Sequence, residues 1–184
     1  MDTLIASTND LLDRLRARLG PHGVLTDPAD TAPYCEDWRR LYHGRTPAVL
    51  RPTTVAEVAD AVRLCAERGV AIVPQGGNTS MVGGAAVSEA GDEIVLSLSR
   101  MNKVRAIDPV DMTMEIEAGV TLKAAQEAAA EADCLLPLSI SSEGSAQIGG
   151  VLAINAGGKP ASRRDSIGAA YGCSHCDALG KYAR

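Results

Sequence analysis

The sequence predicts an α+β fold, with small mixed sheets flanked by helices. Three observations carry this. Thr54-Val55-Ala56-Glu57 is a capping box, and Val55, Val58, Ala59, Val62 and Ala66 continue from it as one apolar stripe that Gly69 closes. Residues 70–73 (Val-Ala-Ile-Val) and 94–98 (Ile-Val-Leu-Ser-Leu) are apolar runs of strand length. Met112, Met114, Ile116 and Ala118 alternate with Thr113, Glu115 and Glu117, the period of a half-buried strand. Helices interleaved with strands define the mixed class.

The remaining elements follow in chain order. Leu4, Ile5, Leu11, Leu12, Leu15 and Leu19 recur at helical spacing, and Gly20-Pro21 stops that helix. Residues 21–50 are rich in Pro, Asp and Thr and read as loop; they hold the single tryptophan, Trp38, within Glu36-Asp37-Trp38-Arg39-Arg40. The capping box then opens the second helix. Its Thr54 hydroxyl accepts from the Glu57 N–H while the Glu57 carboxylate reaches back. Residues 121–132 are Ala-rich and helical, and residues 134–138 read as a short strand.

Composition excludes several functions. The chain has 184 residues, 46% of them hydrophobic, and a net charge of −5. That is enough for one core, and the acidic balance argues against a nucleic-acid surface. No apolar run approaches the roughly 20 residues of a transmembrane helix. The N-terminus lacks a basic-then-apolar signal, so a reducing, cytoplasmic setting is expected. Five scattered cysteines do not make a disulfide framework.

The stretch with the most chemistry is Pro74-Gln75-Gly76-Gly77-Asn78-Thr79-Ser80-Met81-Val82-Gly83-Gly84, directly after the apolar run at 70–73. A strand expected to be buried leads into a loop where backbone N–H groups can approach an anion closely. Neither the Walker spacing nor the Gly-x-Gly-x-x-Gly fingerprint is present. The string resembles the pyrophosphate loop of the PCMH-type FAD-binding domain, shared by vanillyl-alcohol oxidase and p-cresol methylhydroxylase flavoproteins. Within them it is most similar to the D-2-hydroxy-acid dehydrogenases. Further motifs resemble the family in the same order: Arg51-Pro52-Thr53-Thr54, residues 94–102, Ala118-Gly119-Val120, the loop from Pro137-Leu138-Ser139 through Glu143-Gly144-Ser145-Ala146-Gln147-Ile148-Gly149-Gly150, and Asn155-Ala156-Gly157-Gly158.

The resemblance implies noncovalent FAD, since no histidine lies in residues 74–84 to form the covalent link some relatives have. It places Gln75, Gly76, Gly77, Asn78, Thr79 and Ser80 around the phosphates, with the adjoining Pro74 and Met81 also cofactor-binding. It makes Pro137, Leu138, Gly144, Ser145, Ile148, Gly149, Gly150 and Asn155 FAD-lining. On composition alone the second loop, with Ser139, Ser141, Ser142, Ser145 and Gln147, is a Ser-rich surface loop. The implied activity is oxidation of a small D-2-hydroxy acid to a 2-oxo acid. The family's base and substrate-binding residues fall beyond residue 184, so no catalytic residue is assigned, and the substrate would be held by a missing C-terminal domain. The alternative is a truncated, non-enzymatic remnant that binds no flavin.

Three segments are expected: a helix and lead-in at 1–45, the FAD-binding domain at 46–158, and an atypical tail at 159–184, where basic residues outnumber acidic ones. That tail fits the family poorly and is expected to be foreign to the fold, the alternative being a divergent but genuine ending. Its Cys173-Ser174-His175-Cys176 lacks the second ligand pair that a structural zinc needs, so no metal is expected. His22 and His43 sit in loop-like sequence and are expected to be solvated. Glu115 and Glu117 are expected on the wet face of their strand.

Overall fold

The computed structural model describes residues 2–156 and the strand segments 159–160, 175–176 and 182–183. They form two compact units. The first takes in the described residues up to Gln75, then Ser80–Ser97 and the last two strand segments; the second takes in Gly76–Thr79 and the described residues from Leu98 to 160.

In the first unit, α1 (Asp2–Leu19) buries Leu11, Leu12, Leu15 and Leu19, as its spacing predicts. Next come β1 (Val24–Leu25), α2 (Pro28–Cys35), β2 (Val49–Leu50), α3 (Val55–Glu67), β3 (Ile72–Gln75) and β4 (Ile94–Ser97). The sheet order is β1-β2-β4-β3; β1 is antiparallel to β2, and β4 is parallel to both its neighbours. Every residue of the inner strand β4 is buried, and β3 forms an edge. Ala61, Leu64 and Cys65 of α3 are buried too, and burial pushes the Cys65 thiol up to about 11, which removes it as a nucleophile.

Sequence reading missed α2. Asp27 caps it by accepting from the Ala29 N–H at 2.8 Å, but Pro33 inside it and the lack of an apolar stripe hide the helix. The strand expected at 70–73 starts two residues later. Gly69 adopts φ +64 and the Val70 N–H returns to the Cys65 carbonyl, so Val70 belongs to the helix end. β3 instead runs on through Pro74 and Gln75. It is not buried as expected: Pro74 is exposed, and an edge strand tolerates its missing N–H. The capping box forms with one change. Thr54 Oγ1 accepts from the Glu57 N–H at 3.2 Å, while the Glu57 carboxylate takes the Thr53 N–H at 2.6 Å.

The Asp37-Trp38 segment is a knot built on a buried carboxylate. Asp37 accepts N–H bonds from Leu41, Tyr42 and Arg39 at 2.7, 2.8 and 3.1 Å. The Tyr42 N–H does most to hold this carboxyl below its usual range, with Leu41 and Arg39 adding to it. His43 is exposed but not merely solvated: Glu36 lies 3.4 Å from Nδ1, and the Arg40 carbonyl 3.0 Å from Nε2.

In the second unit, β5 (Val104–Asp108) pairs antiparallel with β6 (Thr113–Ile116) through a turn in which Asp108 accepts from the Val110 and Asp111 N–H groups. β5 is exposed at four of five positions, so it gives little hydrophobic signal. Then follow α4 (Leu122–Glu131), β7 (Leu138–Ser139), α5 (Ile148–Ala153) and β8 (Lys159–Pro160), which pairs antiparallel with β7. The strand expected at 134–138 shrinks to its last residue and Ser139. Glu115 is exposed as expected, but Glu117 is buried: its carboxylate accepts the Lys103 N–H at 2.9 Å and pairs with Arg105 at 3.2 Å. β9 (His175–Cys176) pairs with β10 (Tyr182–Ala183); Cys173, Ser174 and most of the tail lie outside the described residues.

Candidate functional site

The second unit brings the two predicted loops together. Gly77 lies so close to residues 145–146 that an added Cβ would overlap the Ser145 carbonyl and reach the Ala146 nitrogen at 3.2 Å. A Cβ on Gly76 would meet Gln147 Oε1 at 3.4 Å. Glycine at 77 is therefore required by backbone packing on the second loop, rather than only by close approach to phosphate.

The loops differ in what they leave for a ligand. The N–H groups of Gly76, Gly77 and Thr79 donate to no acceptor among the described residues. Asn78 between them has φ +50, which turns the chain through the left-handed region. Successive unclaimed amides in such a turn form an anion-binding concavity. In the second loop most amides are committed. Ser145 and Ala146 donate to the Ser142 carbonyl at 2.9 and 2.7 Å, Ile148 to Val120 at 2.8 Å, and Gly149 to Ala118 at 2.8 Å. Ser145, Ile148 and Gly149 can thus line a ligand by surface, side chain or carbonyl, but not by N–H donation.

Space is available beside them. A Cβ on Gly144 or Gly150 would meet nothing within 4 Å. The Ala118-Gly119-Val120 turn anchors the second loop through the two carbonyls just named, and Gly119 is itself wedged against the Leu98 and Met101 carbonyls. Asn155 follows α5 at φ +47, and Pro137 and Leu138 are half-buried at the start of β7.

The other predicted phosphate residues belong to the first unit. Gln75 is buried, and its side-chain amide donates to the Tyr34 and Ala85 carbonyls at 3.0 and 2.8 Å, so that group holds the chain in place and is not offered to a ligand. Pro74 is on β3, Ser80 accepts from the Val82 N–H at 3.4 Å, and Met81 is exposed. Among the described residues, no three His, Cys, Asp or Glu side chains are grouped to hold a metal, and no helix is long and apolar enough to cross a membrane.

A family model described as an FAD-binding domain matches residues 46–170. The chain belongs to this FAD-binding domain family. Its cofactor is FAD. Mitochondrial D-2-hydroxyglutarate dehydrogenase of Bos taurus is 41% identical over 150 residues, covering 82% of this chain and 27% of the relative. D-2-hydroxyglutarate–pyruvate transhydrogenase of Saccharomyces cerevisiae is 38% identical over 153 residues, covering 83% and 29%. The chain thus spans under a third of these relatives. Among solved structures, p-cresol methylhydroxylase with substrate bound superposes with a TM-score of 0.67 at 25% identity, over 83% of this chain and 30% of that one. Berberine bridge enzyme gives 0.76 at 21% identity over 95% and 37%, a likeness of fold. The PCMH-type fold is the one the motifs implied. The family match runs past residue 158, into the segment that sequence reading set apart.

The residues of the second unit fit FAD. A pyrophosphate needs convergent donors, a requirement that the unclaimed N–H groups of Gly76, Gly77 and Thr79 match, and an organic portion needs close, uncluttered surface, which the open space at Gly144 and Gly150 matches. Gly150→Ala separates ligand from fold. A methyl in the open space of α5 should stabilise the protein by about 0.5 kcal/mol, because alanine has the better helix propensity. If FAD fills that space, its affinity should fall roughly tenfold or more through overpacking. Thermal melts without FAD and FAD titrations read the two effects; a tighter or equal FAD complex would place the ligand elsewhere.

Proposed function

We propose that this chain is the cofactor-holding portion of an oxidoreductase that oxidises a small D-2-hydroxy acid to a 2-oxo acid, with FAD bound noncovalently. The observation that carries the reading is the docked loop pair. It joins unclaimed amides at Gly76, Gly77 and Thr79 to a second loop with open glycine surface at Gly144 and Gly150. The dehydrogenase and transhydrogenase names of the sequence relatives supply the substrate class. When bound, FAD supplies acceptance of a hydride from the carbon that bears the hydroxyl. This chain's own residues neutralise the pyrophosphate through backbone N–H dipoles and hold the organic portion against the second loop. Residues 74–84 hold no histidine for a covalent link, which supports noncovalent binding. Proton removal from the substrate and capture of its carboxylate are assigned to no residue here.

The test is a visible absorbance spectrum of the purified chain after incubation with FAD and gel filtration. A flavin band that co-elutes with the protein, and that trichloroacetic acid releases into the supernatant, supports the reading. A colourless, aggregating protein favours the alternative, a remnant without flavin. The exposed Trp38, Leu41 and Val82 of the first unit are the observation on that side.

A further inference from the structure

We propose that Gln147 Oε1 accepts a hydrogen bond from a sugar-type hydroxyl adjoining the pyrophosphate of bound FAD. The proposal rests on the functional reading above. Gln147 is 8% exposed, and its Oε1 is buried without a hydrogen-bond partner. A buried carbonyl oxygen left this way is costly, and native proteins keep few of them without a reason. Local uses of the side chain are not taken up. Gln147 occupies the position that caps α5, yet it makes no side-chain capping bond. Other polar groups of the same unit are satisfied: Glu117 by the Lys103 N–H and Arg105, Gln126 by the Leu138 carbonyl, Thr121 by the Ala124 N–H.

The oxygen also points to a particular chemistry. It sits beside Gly76, 3.4 Å from where a Cβ would lie, next to the unclaimed amides of Gly76 and Gly77. An amide carbonyl oxygen only accepts, and so does an ionised phosphate, so Oε1 cannot bind the anion that the amides attract. The partner that suits it is a donor covalently close to that anion. In FAD the groups directly flanking the pyrophosphate are the ribityl chain and the adenosine ribose, both carrying O–H donors. Amides for the anion and one carbonyl for a neighbouring hydroxyl are the complementary set for such a ligand. A glutamine between Ala146 and Ile148 carries no signal of this role until its burial is known.

Gln147→Met keeps the length and bulk of the side chain and removes the polar group. With the orphaned acceptor gone, the melting temperature without ligand should stay level or rise, while FAD affinity, read by quenching of flavin fluorescence, falls roughly tenfold to hundredfold. Opposite signs separate a ligand contact from a structural role. A variant that melts lower without ligand and loses FAD in proportion would overturn the proposal, as would unchanged affinity in a well-folded variant. Riboflavin 5′-phosphate and ADP distinguish the two hydroxyl sources. Loss of sensitivity only with ADP assigns the ribityl chain, loss only with riboflavin 5′-phosphate assigns the ribose, and equal binding of both by wild type and variant refutes the contact. Wild-type chain that retains no flavin fails the functional reading itself, and this inference with it.

Discussion

Gly77→Ala should abolish FAD retention and lower the stability of the ligand-free protein. The new Cβ overlaps the Ser145 carbonyl and crowds the Ala146 nitrogen. Both are main-chain atoms, so no rotamer change relieves the clash. The second loop cannot retreat freely either. Its Ser145 and Ala146 N–H groups are tied to Ser142, and the Ala146 carbonyl accepts the Leu122 N–H at 2.8 Å. Separating the loops is the remaining response, at a cost of about 3 kcal/mol, the upper part of the usual range for overpacking. Separation also breaks the relation between the unclaimed amides of Gly76, Gly77 and Thr79 and the open surface of the second loop. FAD affinity should therefore fall more than the stability loss alone accounts for. Calorimetric melting and equilibrium dialysis against FAD measure the two. A variant that melts like the wild type and still turns yellow would show that the loops do not need this contact.

The contrast between Gly77 and Gln147 shows what sequence can and cannot carry. Glycine runs, a capping box and alternating strands are local patterns, and they located α3, β4, β6, α4 and both loops. The leucine spacing of α1 was equally direct. Elements without such a pattern were missed: α2 has a proline inside it, and β5 is too exposed to alternate. Residue roles were less legible than elements, because they depend on partners distant in sequence. Gln75 looked like a phosphate ligand by position, yet its side chain is used by Tyr34 and Ala85. Glu117 looked like a wet strand position until Lys103 and Arg105 enclosed its carboxylate. Ile148 and Gly149 are implied only as FAD-lining by their motif, and the structure adds that their amides are already bound to the Val120 and Ala118 carbonyls. In each case the deciding fact is which hydrogen-bond capacity is already used, and a motif does not contain that fact.

Gly119→Ala is expected to loosen the second loop without touching any residue predicted to bind FAD. A Cβ on Gly119 overlaps the Leu98 carbonyl and presses on the Met101 carbonyl at 2.7 Å. The Gly119 N–H is bound to that same Met101 carbonyl at 2.8 Å, so the turn cannot slide away without losing a bond. Its flanking residues hold the second loop, with Ala118 accepting from Gly149 and Val120 from Ile148. Displacing the turn therefore exposes those two amides together. Hydrogen exchange is the discriminating measurement. The Ile148 and Gly149 amides should exchange roughly a hundredfold faster, as a local destabilisation of about 3 kcal/mol predicts. Amides of β5 and β6 should change little, since their ladder is formed by other residues. FAD affinity should drop in parallel, because Gly150 and the Gln147 carbonyl ride on the loosened segment. Unchanged protection at Ile148 and Gly149 would mean that the turn is not what positions the flavin loop, and that the short α5 holds itself.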